Sequence, residues 1–236
     1  MSIFSPIKLP GDHFYDWYNQ PMNTNVAAKR ILIYGDSYTF GKIPGGNRFD
    51  AATRFTGVTQ GYLGSDYEII EEGLRGRTIS GENGFFPHRD GLKQFDGIIG
   101  SHLPLDLVLI FLGTNDSNSS RKSTPAEIIS PLIKYIRGVS WWAKHLGFDK
   151  PRIALVIPPT IDEVASDKAF KTIFSGSGDK ILAMQKLIKQ LADDNKVLTF
   201  DSSKVVTVSQ IDGIHLDAEN NLKLGKALAQ FIKEVL

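Results

Sequence analysis

The chain has 236 residues, 42% hydrophobic and 22% charged, enough for one well-cored domain with at most an appendage. A formal net charge of +1 offers no long-range attraction to nucleic acid or to an anionic membrane, so neither is expected as a partner. The absence of cysteine excludes disulfides, thiolate metal sites and a cysteine nucleophile, and leans toward a reducing, cytoplasmic setting.

Residues 1–29 read as an N-terminal arm ahead of a domain over 30–236. The segment has Asp12 and Asp16 early and no continuous hydrophobic run, unlike a signal peptide. It also carries Phe4, Phe14, Tyr15, Trp17 and Tyr18, more aromatics than a disordered tail usually holds. These are expected to pack on the domain or on a neighbouring subunit, which favours a homo-oligomer. No later run approaches the roughly 18 apolar residues of a membrane span.

From there strands and helices alternate. Ile31–Tyr34 is the first strand, followed by a glycine-rich loop and a helix over 51–63. Tyr67–Glu71 is the second strand, and 90–101 the next helix. The run 106–112 is apolar throughout, as expected for a strand covered on both faces.

Thr124, Pro125 and Glu127 form a capping box with proline in the first turn, predicting a helix from there to about His145. Ile153–Ile157 is a fourth strand stopped by Pro158 and Pro159, with a loop to about Lys180. A helix over 180–193, a short strand 197–200 and a final helix 218–236 complete the series. This alternation predicts an α/β fold: a five-stranded parallel sheet with helices on both faces and ligands at the strands' carboxyl ends.

Three peptides converge on that edge. Gly35-Asp36-Ser37 closes the first strand. Gly113-Thr114-Asn115-Asp116 closes the third, and Asp212-Gly213-Ile214-His215 precedes the last helix. A serine hydroxyl needs an adjacent base, a histidine supplies one, and a carboxylate three residues before it can fix the imidazole tautomer. Asn115 can offer an amide to an oxyanion. The set reads as a serine hydrolase: Ser37 the nucleophile, His215 the base, Asp212 its orienting acid. His13, His88, His102 and His145 read as ordinary surface or loop residues, and Asp36 and Asp116 as loop braces. There is no G-x-S-x-G elbow, P-loop, dinucleotide fingerprint or H-E-x-x-H, so no cofactor and no metal are expected.

These blocks, with Glu71-Glu72-Gly73-Leu74-Arg75-Gly76-Arg77-Thr78 between the first two, resemble the signature set of the SGNH (GDSL) hydrolases in the family's order. The wording around 70–74 and 102–116 is similar to the arylesterase/acyltransferase branch. The resemblance implies a flavodoxin-like three-layer sandwich and hydrolysis of small esters. It further implies an oxyanion hole from the backbone amides of Ser37 and a block-two glycine, with the Asn115 side chain. That glycine is Gly73 or Gly76, and matching the run puts it at Gly76.

By the same resemblance Phe170, Ile173 and Phe174 would line the substrate pocket, with Ile214 beside the histidine. The alternative for these side chains is simply to pack the following helix on the core. Phe85 and Phe86 are weaker candidates of the same kind. With no segment large enough for a lid, acetyl to butyryl esters are expected, with some acyl transfer to alcohols. Deacetylation of carbohydrates and a non-catalytic module of the same fold are the competing readings.

Overall fold

The apolar runs pair edge to edge. In the computed structural model, which describes residues 23–165 and 168–236, β1 (Lys29–Gly35), β2 (Tyr67–Gly73), β3 (Leu107–Phe111), β4 (Arg152–Ile157) and β5 (Leu198–Asp201) form one sheet. The strands are parallel throughout, in the order β2-β1-β3-β4-β5. In chain order the helices are α1 (Ser37–Phe40), α2 (Phe55–Leu63), α3 (Gly91–His102), α4 (Pro125–Ile129), α5 (Leu132–His145), α6 (Lys168–Ile173), α7 (Ser177–Asp194) and α8 (Ala218–Val235). Among the described residues no helix is long and apolar enough to cross a membrane.

Period-two side-chain alternation splits each central strand between two cores. Leu32, Tyr34, Val108, Ile110, Ile153 and Leu155 face one core, which α3, α5 and α7 cover with Phe95, Ile99, Tyr135, Val139, Met184 and Ile188. Ile31, Ile33, Leu107, Leu109, Ala154 and Val156 face the other, closed by Phe55 and Leu63 of α2 and Leu224, Leu228 and Ile232 of α8. Every residue of β3 is buried, whereas the edge strand β2 is part-exposed along its length. Each such aliphatic side chain taken from water contributes about 1.5–3 kcal/mol. The result is the three-layer α/β sandwich expected from the alternation of elements.

The helix expected over 124–145 is two helices. The capping box at Thr124 and Glu127 forms, but α4 ends at Ile129 and α5 starts at Leu132. Pro131 has no N–H to donate back to Glu127, and the Ser130 hydroxyl takes that carbonyl instead at 3.2 Å. The segment read as a loop between Pro158 and Lys180 contains α6, and α7 begins at Ser177. The residues after β1, read as loop, make the single turn α1.

Asn23 donates its side-chain amide to the carbonyls of Ser65 and Tyr67 at 3.1 Å each, tying 23–28 to the turn before β2. The aromatic residues Phe4, Phe14, Tyr15, Trp17 and Tyr18 lie outside the described residues.

The sheet order places the site. β1 lies between β2 and β3, so the chain leaves β1 and β3 in diverging directions and a crevice opens beyond their carboxyl ends. Ser37 follows β1 and Asn115 follows β3.

Candidate active site

Asp36 begins the turn that presents Ser37. Its Oδ1 accepts from the Tyr38 amide at 3.0 Å, capping α1 so that Ser37 is the first helical residue. Two glycines let this turn sit directly on the sheet edge. Gly35 and Gly73 pair across β1 and β2; a Cβ on Gly35 would lie 2.1 Å from Thr39 Oγ1, and one on Gly73 would lie 2.2 Å from the Phe40 nitrogen.

The histidine arrives on the loop before α8. His215 Nε2 is 3.1 Å from Ser37 Oγ, and its Nδ1 is 2.8 Å from Asp212 Oδ2. The other carboxylate oxygen of Asp212 accepts from the amides of Ile214 and His215 at 3.1 and 2.9 Å, so one aspartate shapes the turn and orients the ring. Burial pushes the Asp212 carboxyl up, but the His215 ring bond, the imidazole's charge and the two amides outweigh it and hold the group below the usual carboxylate range. All three residues are buried.

Gly76 and Asn115 line the cleft with Ser37, whereas Gly73 is enclosed under α1. Gly76 has φ +80°, a region that favours glycine, and a Cβ there would press on the Phe86 ring at 3.0 Å. Among the described residues the amides of Ser37 and Gly76 donate to no other group. Asn115 Nδ2 does have partners: Asp36 Oδ2 at 3.2 Å and the Arg77 carbonyl at 3.1 Å. An oxyanion contact from Asn115 therefore shares or replaces one of these bonds.

Both bracing aspartates are buried, and burial pushes each carboxyl up to about 7 against opposing bonds from neighbouring amides and the charges of Arg77 and Arg121. Asp116 Oδ2 accepts from the Ile79 amide at 2.9 Å and so ties the loop after β2 to the loop after β3.

Phe170, Ile173, Phe174 and Ile214 form one wall of the cleft, facing Arg75, Asn83, Phe85 and Phe86; its empty space is about 510 Å³, counting the part open to solvent. The two uses foreseen for the wall residues coexist. Phe174 and Ile214 are also buried against Ile161 of the loop after β4 and Ile181 of α7, while Phe170 and Ile173 remain partly exposed. The Phe170 ring stands edge-on to the His215 ring at 5.8 Å. Among the described residues no three His, Asp or Glu gather where a metal ion could be held.

A family model for the GDSL-like lipase/acylhydrolases matches residues 33–224. The chain belongs to this family. It is a carboxylic ester hydrolase on the α/β fold described above. Among solved structures, a carbohydrate acetylesterase from Sinorhizobium meliloti is 36% identical, with a TM-score of 0.82 over 88% of this chain and 100% of that one. The aryl esterase of M. smegmatis is likewise 36% identical, with a TM-score of 0.83 over 89% and 100% of the two chains. A carbohydrate acetylesterase family member from Sinorhizobium meliloti is 30% identical, with a TM-score of 0.80 over 88% and 99%. No curated protein matches.

Two features of this GDSL-like hydrolase escaped the motif reading. The Tyr38 hydroxyl donates to the Ile214 carbonyl at 2.7 Å, joining the serine turn to the histidine turn, and its ring stacks on Phe111 at 5.4 Å. Its partner lies 176 residues away, so no local pattern marks it. The polar lock Asp36–Asn115–Arg77 was hidden in the same way, although placing Ser37 and Asn115 at adjacent strand ends would have brought Asp36 and Asn115 together.

Proposed function

We propose that this hydrolase is a serine esterase for small esters, acetyl to butyryl, acting through an acyl-enzyme on Ser37. The observation that carries the reading is the unbroken chain from Asp212 through His215 to Ser37 Oγ, opening into an apolar cleft beside two free backbone amides. His215 Nε2 takes the Ser37 proton as Oγ attacks the ester carbon. The carbonyl oxygen gains the charge and receives bonds from the amides of Ser37 and Gly76 and from Asn115. Collapse expels the alkoxide, which His215 protonates; a water then gives its proton to His215, attacks the acyl carbon and frees Ser37. An alcohol in place of that water yields a new ester.

Aryl and simple alkyl esters suit the lining better than sugars. Asn83 and Asn118 face the cleft, but their amides are spent on the carbonyls of Gly76, Asn83 and Asn115 at 2.8–2.9 Å, leaving few polar groups for hydroxyls. Removal of acetyl groups from carbohydrates is the second reading, supported by the 36% identity to a carbohydrate acetylesterase. The test is a panel of p-nitrophenyl acetate, butyrate, octanoate and palmitate together with acetylated sugars, run on the native protein and on Ser37→Ala. A maximum of kcat/KM between acetate and butyrate, abolished in the variant, is expected. A maximum at octanoate or beyond, or activity surviving Ser37→Ala, overturns the proposal.

A further inference from the structure

Arg75 stands directly before Gly76 and lines the cleft that holds Ser37. Every other arginine near the cleft is engaged. Arg48 and Arg54 pair with Glu71. Arg77 donates to the carbonyls of Gly35 and Glu72. Arg89 donates to those of Arg75, Pro87 and His88. Arg121 serves the carbonyls of Ser80 and Glu82. The guanidinium of Arg75 has no hydrogen bond or ion pair among the described residues.

A second cation adds to the local field. Lys42 follows α1, buried, with its ammonium donating to the carbonyls of Ile43 and Gly46. Burial, and the like charge of Arg75, hold its pKa below the ordinary lysine value. Among the described residues no aspartate or glutamate lines the cleft. The carboxylate whose charge favours protonated Lys42 is Asp212, already bonded to His215. Lys42 does not line the cleft itself, but its charge and that of Arg75 repel, and an anion held by Arg75 would relieve that repulsion.

We propose that Arg75 makes this cleft selective for esters that carry a carboxylate, such as aromatic acids acylated on a ring hydroxyl or half-esters of dicarboxylic acids. The planar, five-donor guanidinium, exposed at the cleft together with the Phe85 and Phe86 rings, matches two carboxylate oxygens. The apolar wall receives the hydrocarbon part of the same molecule. The selectivity rests on the ester-hydrolase reading of the cleft; the charge site itself does not.

The experiment compares kcat/KM for phenyl acetate, para-acetoxybenzoate and monophenyl succinate in the native protein, Arg75→Gln and Arg75→Lys. The second ester puts the carboxylate on the leaving group and the third on the acyl group, so the pair also assigns the side that Arg75 reads. For at least one of them, the ratio of anionic to neutral kcat/KM should fall roughly tenfold in Arg75→Gln, mainly through KM, the scale of one charge-assisted hydrogen bond. Arg75→Lys should retain more of the ratio. Raising salt to about 0.5 M should lower the ratio in the native protein and barely move it in Arg75→Gln. Ratios unchanged in Arg75→Gln overturn the proposal while phenyl acetate turnover keeps the esterase reading intact. Calorimetric titration of benzoate into Ser37→Ala, with and without Arg75→Gln, needs no turnover: weaker binding without Arg75 supports the site, and equal binding overturns it.

Discussion

Beneath the reacting groups, the loops that end β1, β2 and β3 are locked by buried polar bonds, Asp36 to Asn115, Asn115 to the Arg77 carbonyl and Asp116 to the Ile79 amide. Across the cleft, Ile161, Phe174, Ile181 and Ile214 pack as an apolar cluster, while Asp212 and Tyr38 hold the Ile214 turn by polar bonds. A few backbone bonds anchor that side, such as the Ser119 amide to the Ile173 carbonyl at 2.7 Å. The two constructions tolerate change differently. A buried polar lock fails when one partner goes, because the other is left unsatisfied. An apolar wall accepts exchange of one hydrophobic side chain for another of similar volume. The floor therefore suits the task of aiming groups, and the wall the task of admitting a range of sizes.

The floor should break hardest at its centre. Ser37→Ala or His215→Ala should each lower kcat by on the order of 10⁴-fold or more, and the double variant should add little, because the pair acts as a unit. Multiplying losses in burst and steady-state kinetics would show two independent contributions instead. Asn115→Ala should cost roughly 10²–10³ in kcat with little change in KM, since its bond tightens on the developing oxyanion. A tenfold rise in KM at constant kcat would make Asn115 a substrate-binding group.

The wall should respond in graded fashion and differently at its two phenylalanines. Phe174 is buried in its cluster, so Phe174→Ala should cost about 3–5 kcal/mol in denaturant unfolding. Phe170 is only partly buried, so Phe170→Ala should instead widen the cleft. It should raise the butyrate-to-acetate ratio of kcat/KM by roughly fourfold per methylene accommodated, the equivalent of about 0.8 kcal/mol each. If Phe170→Ala left that ratio unchanged, the acyl chain would lie elsewhere.

The smallest expected effect is on pH dependence of stability. Asp36 and Asp116 titrate near about 7 in the fold, above the roughly 3.9 of an unfolded aspartate. Between those values the folded state holds protons that the unfolded state has released, so their contribution to stability declines as pH rises from about 4 through about 7. Asp212 works in the opposite sense: its depressed carboxyl stabilises above the unfolded value, and that stabilisation is lost as pH falls through its folded value. Melting temperatures at pH 6 and 8 should favour pH 6, and Asp116→Asn should flatten the difference. An unchanged difference in that variant would mean the buried carboxyl stays ionised over that range.

Much of the fold was legible because burial on both sides demands apolar runs. The stretch 107–111 can be little else than a central strand. Misreadings fell where one residue overrode a pattern, as at Pro131, which divides an otherwise continuous helical periodicity. They also fell where short polar and aromatic segments sit beside the cleft: α6 is six residues long and its position depends on contacts with the 117–121 segment and α7. Of the two candidate glycines, three positions apart, matching the run chose Gly76, and their surroundings differ in space. Gly73 is paired with Gly35 under α1, and Gly76 turns through positive φ into the cleft.

By itself the amino-acid sequence determined the alternation of elements and the parallel sheet and marked Ser37, Asp212 and His215 as candidates, because strand burial and the Asp-x-x-His turn are local properties of the chain. Only the tertiary structure decided that Asn115 shares its amide with Asp36, that Tyr38 bridges the serine and histidine turns, and that Arg75 lines the cleft without a partner among the described residues. Those facts depend on which strand ends become neighbours. The sheet order joins residues tens to hundreds of positions apart, and whether a side chain's charge is answered depends on everything folded around it.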